Sequence, residues 1–124
     1  MAKAPALLID TDIWIDYFNT GQFSRYFEKP YQVYYSVITR KELLAKRGLK
    51  DSERRAITRE LARHREVRVD RRIAESYGVL RRSYPVLEKE DALIAATAIV
   101  KRFPLFTQNW KHYRGIHRLR LFTG

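Results

Sequence analysis

The stretch ALLIDTDIWIDYF, residues 6–18, decides how the rest of the chain is read. Ala6 to Ile9 is a short run with no polar residue in it, the look of a strand buried on both faces of a parallel sheet. The run stops at Asp10, and a second acid follows at Asp12. Asp12 is expected to cap a helix from Ile13 to about Phe18, which Asn19-Thr20-Gly21 ends. The open question is whether Asp10 begins a catalytic site or is only the polar end of a strand.

Outward from this segment, strand and helix patterns alternate. A short helix around Phe23 to Glu28 stops at Pro30, and Val33 to Tyr35 is β-branched and aromatic enough for a second strand. Ser36 opens a helix through VITRKELLAK to Gly48, and Ser52 to His64 makes another. Val67 to Val69 reads as a third strand, and Asp70 caps a helix to about Arg82. The segment EDALIAATAIVKRF, residues 90–103, is apolar nearly all round and rich in Ala, which predicts a helix packed deep against a sheet. Pro104 then allows a fourth strand over 105–107, and LRLF, residues 119–122, a fifth. Strands that alternate with helices imply a parallel sheet covered on both faces. The expected fold is α/β, a three-layer α/β/α sandwich with a five-stranded parallel sheet, in one domain over residues 1–124.

Composition narrows the function classes. A chain of 124 residues that is 45% hydrophobic can bury one core without staples. No run approaches the roughly 18 to 20 apolar residues of a membrane span, and the apolar stretch before Asp10 is too short for a secretory signal. A soluble cytoplasmic protein is expected. With no cysteine, disulfides and thiolate metal sites are excluded, so any metal must be held by oxygen or imidazole. Against 14 Asp and Glu stand 25 Lys and Arg, a net charge of +11. That surplus, clustered at Arg71-Arg72, Arg81-Arg82 and from Arg54 to Arg72, points to a polyanionic partner, either nucleic acid or an acidic protein segment.

In open parallel sheets ligands bind beyond the carboxyl ends of the strands, so acids just after a strand or at the start of a crossover helix carry the information. Asp10 meets this directly. Asp91, at the start of the buried helix, and Glu42, in the helix after the second strand, can reach the same end. Oxygen ligands gathered this way suit Mg²⁺ or Mn²⁺. Each acid also has a local explanation. Asp91 can be an N-cap or a favourable charge at a helix start, and Thr39-Arg40-Lys41-Glu42 fits a capping box. Spacing alone does not select three acids from fourteen.

The segments LLIDTDIWIDYF, YYSVITRKELL, EDALIAATAI and PLFTQNWKHY resemble, in order and separation, the motifs of the PIN-domain family, most like VapC-type ribonuclease toxins of bacterial and archaeal toxin–antitoxin pairs. The resemblance runs from Leu7 to Leu121. It implies a five-stranded parallel sheet and a Mg²⁺- or Mn²⁺-dependent endoribonuclease whose products carry 5′-phosphate and 3′-hydroxyl ends. It further implies that Asp10, Glu42 and Asp91 are the metal-binding acids, with Thr11 and Thr107 as supporting hydroxyls. An RNA substrate, a cognate antitoxin and a homodimer follow as expected partners. The sequence departs from the pattern after Thr107, where relatives commonly carry an acid two or five residues on and this chain has Asn109 and His112. Asn109 still offers a neutral carbonyl to a water at the site, while a second metal would be weakly held.

Three other readings compete. A haloacid-dehalogenase-like phosphatase also starts with a strand and two acids two apart, the first a nucleophile, but Ile13 and Trp14 stand where that family has small residues and Thr. A metal-free ribonuclease needs paired histidines; His64, His112 and His117 are more simply surface residues. A catalytically inactive PIN fold that binds RNA or protein would keep these acids as caps.

Overall fold

The computed structural model describes residues 4–124. Four strands, β1 (Ala6–Ile9), β2 (Gln32–Ser36), β3 (Arg65–Val67) and β4 (Leu105–Phe106), form a parallel sheet in the order β3-β2-β1-β4. The helices are α1 (Thr11–Thr20), α2 (Val37–Leu44), α3 (Asp51–Ala62), α4 (Arg71–Ser83), α5 (Lys89–Lys101) and α6 (Trp110–Tyr113), with one 3-10 turn over Ser24–Phe27. None is long and apolar enough to cross a membrane.

Alternation along the strands sends side chains to two separate cores. Leu7, Ile9, Val33, Tyr35 and Phe106 join Trp14 of α1, Leu43 of α2 and Leu61 of α3 on one face. Leu8, Val67 and Leu105 join Ile73 and Leu80 of α4 and the alanines of α5 on the other. The three-layer reading therefore holds. The aromatic residues of the first helices are core material: Phe27 is buried edge-on against Trp14 at 4.7 Å, and Tyr26 packs edge-on against Phe106 and Phe122.

The sheet has four strands, where five were expected. Leu121 makes only an isolated parallel bridge to Leu105, through bonds from Leu105 N to Arg120 O and from Phe122 N to Leu105 O. A β4 of two residues leaves no room for a longer ladder. The third strand lies earlier than expected, at Arg65–Val67, because its register on β2 ends with Ser36 opposite Val67; Val69 is exposed instead. Helix starts differ as well. Asp10, not Asp12, is the N-cap of α1, its Oδ1 accepting from Thr11 N at 2.8 Å and its carbonyl from Ile13 N. Ser36 caps α2 by accepting from Ile38 N, so the expected capping box at Thr39 and Glu42 does not form. Asp91 is the third residue of α5 rather than its cap, which is Glu88.

Helix α5 is buried as the sequence predicts. Ala92, Ala95 and Ala96 have no exposed surface, and α4 packs along it. Where a helix meets its neighbours through methyl groups there is no room for more. Ala95→Leu is expected to lower the unfolding free energy by roughly 1–3 kcal/mol through overpacking. Ala74→Leu, on the exposed side of α4, should leave the urea midpoint almost unchanged.

Candidate active site

The carboxyl ends of β1 and β4 lie side by side, with Ile9 in register with Phe106. Asp10 and Thr107, the next residue on each strand, therefore meet. Asp10 N donates to Phe106 O at 2.9 Å, and the Thr107 hydroxyl donates to Asp10 Oδ2 at 2.8 Å while accepting from Asn109 N at 3.0 Å. Asp10 is 5% exposed. Burial, then the charge of Asp12, and further down that of Asp91, push its carboxyl up from 3.8 to about 7, against the lowering effect of the bonds from Thr107 and Thr11.

Asp12, expected to be only a helix cap, belongs to the same cluster. Its Oδ2 accepts from Gln108 N at 3.0 Å, while its Oδ1 is buried with no partner among the described residues. Burial also raises its carboxyl above the ordinary value, more than the Gln108 bond lowers it. A buried carboxylate oxygen without a donor is costly unless a cation faces it.

Asp91 reaches the cluster from the first turn of α5. The Tyr113 hydroxyl, from α6, donates to Asp91 Oδ1 at 3.0 Å and lies 3.4 Å from Asp10 Oδ2. Having one hydrogen, it serves the nearer acid. Tyr113 is fully buried, and burial followed by the Asp10 and Asp91 charges drives its phenol well above the ordinary value, so it remains a donor.

Glu42 joins through hydroxyls. Its Oε1 accepts from Thr11 Oγ1 at 2.6 Å. That spends the one hydrogen of Thr11, so Thr39, 2.9 Å away, donates to Thr11 in turn. Glu42 itself is exposed. Asn109 is exposed ahead of α6, and His112 is exposed one turn on. His64 is not an ordinary surface residue: its ring sits against Trp14 and bonds Glu60 at 3.1 Å. Among the described residues no three His, Asp or Glu side chains are gathered closely enough to cage an ion as they stand.

Two features lay beyond the sequence reading. Asp12 reads as a helix cap because local sequence does not carry the long-range contact to Gln108 N, and Tyr113 reads as an ordinary aromatic because nothing local marks its hydroxyl as a partner of Asp91. Also hidden was the charge balance. In a protein of net charge +11, none of the described Lys or Arg side chains forms a salt bridge with Asp10, Asp12, Glu42 or Asp91; the ion pairs lie at Glu53, Glu60, Glu66, Asp51 and Asp70. These acids are held by hydroxyls and amides alone. Such an arrangement can receive a cation and can accept protons, and it repels an anion unless a cation is present.

Comparison with known proteins places this arrangement. The PIN domain family model matches residues 7–115. Ribonuclease VapC1 of Methanocaldococcus jannaschii is 29% identical over 120 residues, covering 93% of this chain and 84% of that protein. A toxin–antitoxin complex from Klebsiella pneumoniae contains a chain 30% identical, with a TM-score of 0.74 over 92% of this chain and 94% of that one. VapBC2 from Rickettsia felis, solved bound to a DNA fragment from its promoter, shares the fold at a TM-score of 0.82 and 22% identity over 94% and 97% of the two chains. The match over most of its length, joined to strand-end acids in the expected order, makes this chain a member of the PIN-domain family, with relatives of the VapC type.

Proposed function

We propose that the protein is a Mg²⁺- or Mn²⁺-dependent endoribonuclease, the toxin of a VapBC-type pair acting in the cytoplasm, and that it hydrolyses RNA phosphodiester bonds at the Asp10 rim. One observation carries this reading: in a strongly basic chain, four acids share one end of the sheet with no basic side chain among the described residues paired to them. Structural acids in such a protein would find arginines. Acids kept free of them, one pushed up to about 7 and another with a buried unpaired oxygen, fit a divalent cation.

Asp10, Glu42 and Asp91 would hold the ion, and the unpaired Oδ1 of Asp12 adds a donor to that set. When bound, such a cation supplies Lewis-acid chemistry, activating water and offsetting charge that builds on phosphorus. The chain's own groups do the rest. Thr107 and Tyr113 fix the rotamers of Asp10 and Asp91, and Thr11 does the same for Glu42. Asn109, exposed at the mouth, offers a neutral amide to water or substrate without adding negative charge near a phosphate.

The M. jannaschii relative is named a ribonuclease and the K. pneumoniae and R. felis relatives were solved in toxin–antitoxin assemblies, which supports RNA and an antitoxin as partners. A groove beside Glu42, lined by the exposed Ile15 and by Phe18, Leu43, Leu49 and Ile57, offers apolar surface for the latter. A homodimer is the expected assembly. A second reading, a PIN-fold binding module without catalysis, is favoured by the absence of a ready cage among the described residues. Cleavage of single-stranded RNA in Mn²⁺ separates the two.

Asp10→Asn should reduce that cleavage to the level of an enzyme-free control while circular dichroism stays unchanged; full activity in the variant would remove Asp10 from the mechanism.

The raised carboxyl makes a prediction of definite sign. Between 3.8 and about 7 the folded chain keeps the Asp10 proton that the unfolded chain has lost. Stability of the cation-free protein therefore falls as pH rises through that window. Added Mn²⁺ should raise the melting temperature near pH 8 and do little near pH 4, where the proton already occupies Asp10. Asp10→Asn should flatten both effects. A melting temperature indifferent to Mn²⁺ at the higher pH would count against a cation site.

A further inference from the structure

The nuclease reading leaves one concentration of charge unassigned. At the end of the sheet opposite the carboxylates, Arg72 from the first turn of α4, Arg102 at the end of α5, and Arg118 and Arg120 from the C-terminal segment line one groove of about 830 Å³. Among the described residues Glu75 is the only acid in its wall. None of the four guanidiniums is in a salt bridge among the described residues, and the neighbouring Lys101 takes Asp70 instead.

Folding explains part of this: the Arg120 guanidinium donates to the Arg102 carbonyl at 2.5 Å, capping the end of α5, where a cation also suits the helix dipole. That contact gives no reason for Arg72, Arg102 and Arg118 to bring further like charges, which repel, to the same groove. Two of them also occupy left-handed backbone, Arg102 at φ 58° and Arg118 at φ 71°, a conformation that glycine adopts without strain.

The groove is also the far end of a basic path. After Asp91 the chain carries no acid, and Lys111, Arg114, Arg118 and Arg120 follow in sequence from the rim to the groove, all exposed. At the rim end Trp110 is 46% exposed, with the Arg114 guanidinium 5.2 Å from its ring, an indole on which an unpaired base can stack. Arg102 follows Asp91 by eleven residues of α5, a separation of roughly 17 Å at the helical rise.

We propose that the arginine groove is a second phosphate-binding site, which holds the backbone of single-stranded RNA away from the point of cleavage; RNA as its ligand rests on the nuclease reading above. Guanidinium forks match pairs of phosphate oxygens. They match carboxylates too, but a track of charges that continues from the rim suits a polymer with one charge per unit better than a peptide with scattered acids.

The test measures binding apart from cleavage, in the full chain carrying Asp10→Asn, by fluorescence anisotropy of labelled mixed-sequence single-stranded RNA over a salt series. Arg102→Gly with Arg118→Gly removes two charges at positions where glycine relaxes the backbone. This pair should weaken binding about tenfold and reduce the slope of log K against log salt by about 1.4, two phosphates at ~0.7 each. Arg72→Glu places an acid in a first helical turn, where it is favourable; it should weaken binding by at least as much without lowering the melting temperature. Unchanged affinity and slope in both variants would overturn the proposal, as would loss of binding to a polyglutamate peptide with RNA binding intact. The two readings fail separately. If the wild-type chain cuts no RNA in Mn²⁺ but binding still depends on the arginines, the nuclease reading falls and the groove stands. If it cuts RNA and binding ignores the arginines, the groove falls and the nuclease stands.

Discussion

Everything at the functional end of this molecule turns on how negative charge is buried at the head of β1. Asp10 is 5% exposed, and Asp12 and Asp91 raise the cost of its ionisation. A carboxylate so placed is ordinarily met by arginine or lysine. Here the compensation is a pair of neutral donors, the Thr107 hydroxyl and Thr11 N, while the Tyr113 hydroxyl does the same for Asp91. Neutral donors orient a carboxylate and offset part of its desolvation, but they leave its charge in place. A proton removes that charge, which is why the Asp10 carboxyl is raised to about 7; on the proposed function, a cation would offset it above that pH.

The fold is arranged to make that crowding possible. β1 is flanked by β2 and β4, so its last residue is enclosed on both sides while its backbone bonds are satisfied. The strand ends abruptly because Asp10 turns at once into α1, acting as its cap while its other oxygen faces Thr107. Across the rim, α5 approaches through alanines, which brings the Asp91 backbone near without filling the space with side chains. A bulkier α5 would move its first turn outward and take Asp91 from Tyr113.

Much of this was legible in the sequence, for identifiable reasons. The strand at Ala6–Ile9, the cap at Ser36 and the Ala-rich buried helix all follow from local patterns strong enough to decide alone. Asp10 was legible because the end of an apolar run marks the end of a strand. The roles of Asp10 and Asp12 within that segment were not. Both are aspartates and either could cap a helix, and the choice was made by the 107–108 loop, about a hundred residues away, which draws Asp12 toward Gln108 N. The fifth strand failed for a similar reason: LRLF has the composition of a strand, but β4 beside it has only two residues to offer. Tyr113 reads as an ordinary aromatic, and only the fold reveals that its hydroxyl is aimed at two acids.

Helix α5 joins the two charged ends of the protein, and its own electrostatics favour the separation. Glu90 and Asp91 stand in its first turn and Lys101 in its last, with Arg102 beyond. A macrodipole prefers acids at the first end and bases at the second, so an acidic rim and a basic base cost less on this helix than the reverse. That preference explains one charge at each end and no more. It does not require three further arginines from α4 and the C-terminal segment to converge on the same groove, or two arginines to hold glycine-like backbone. Nor does it require that a chain this basic pair none of its described Lys and Arg side chains with its rim acids. The excess over what the dipole asks for, at both ends, is the part that folding leaves unexplained and that a polyanion bridging the two ends, with a cation at one of them, accounts for.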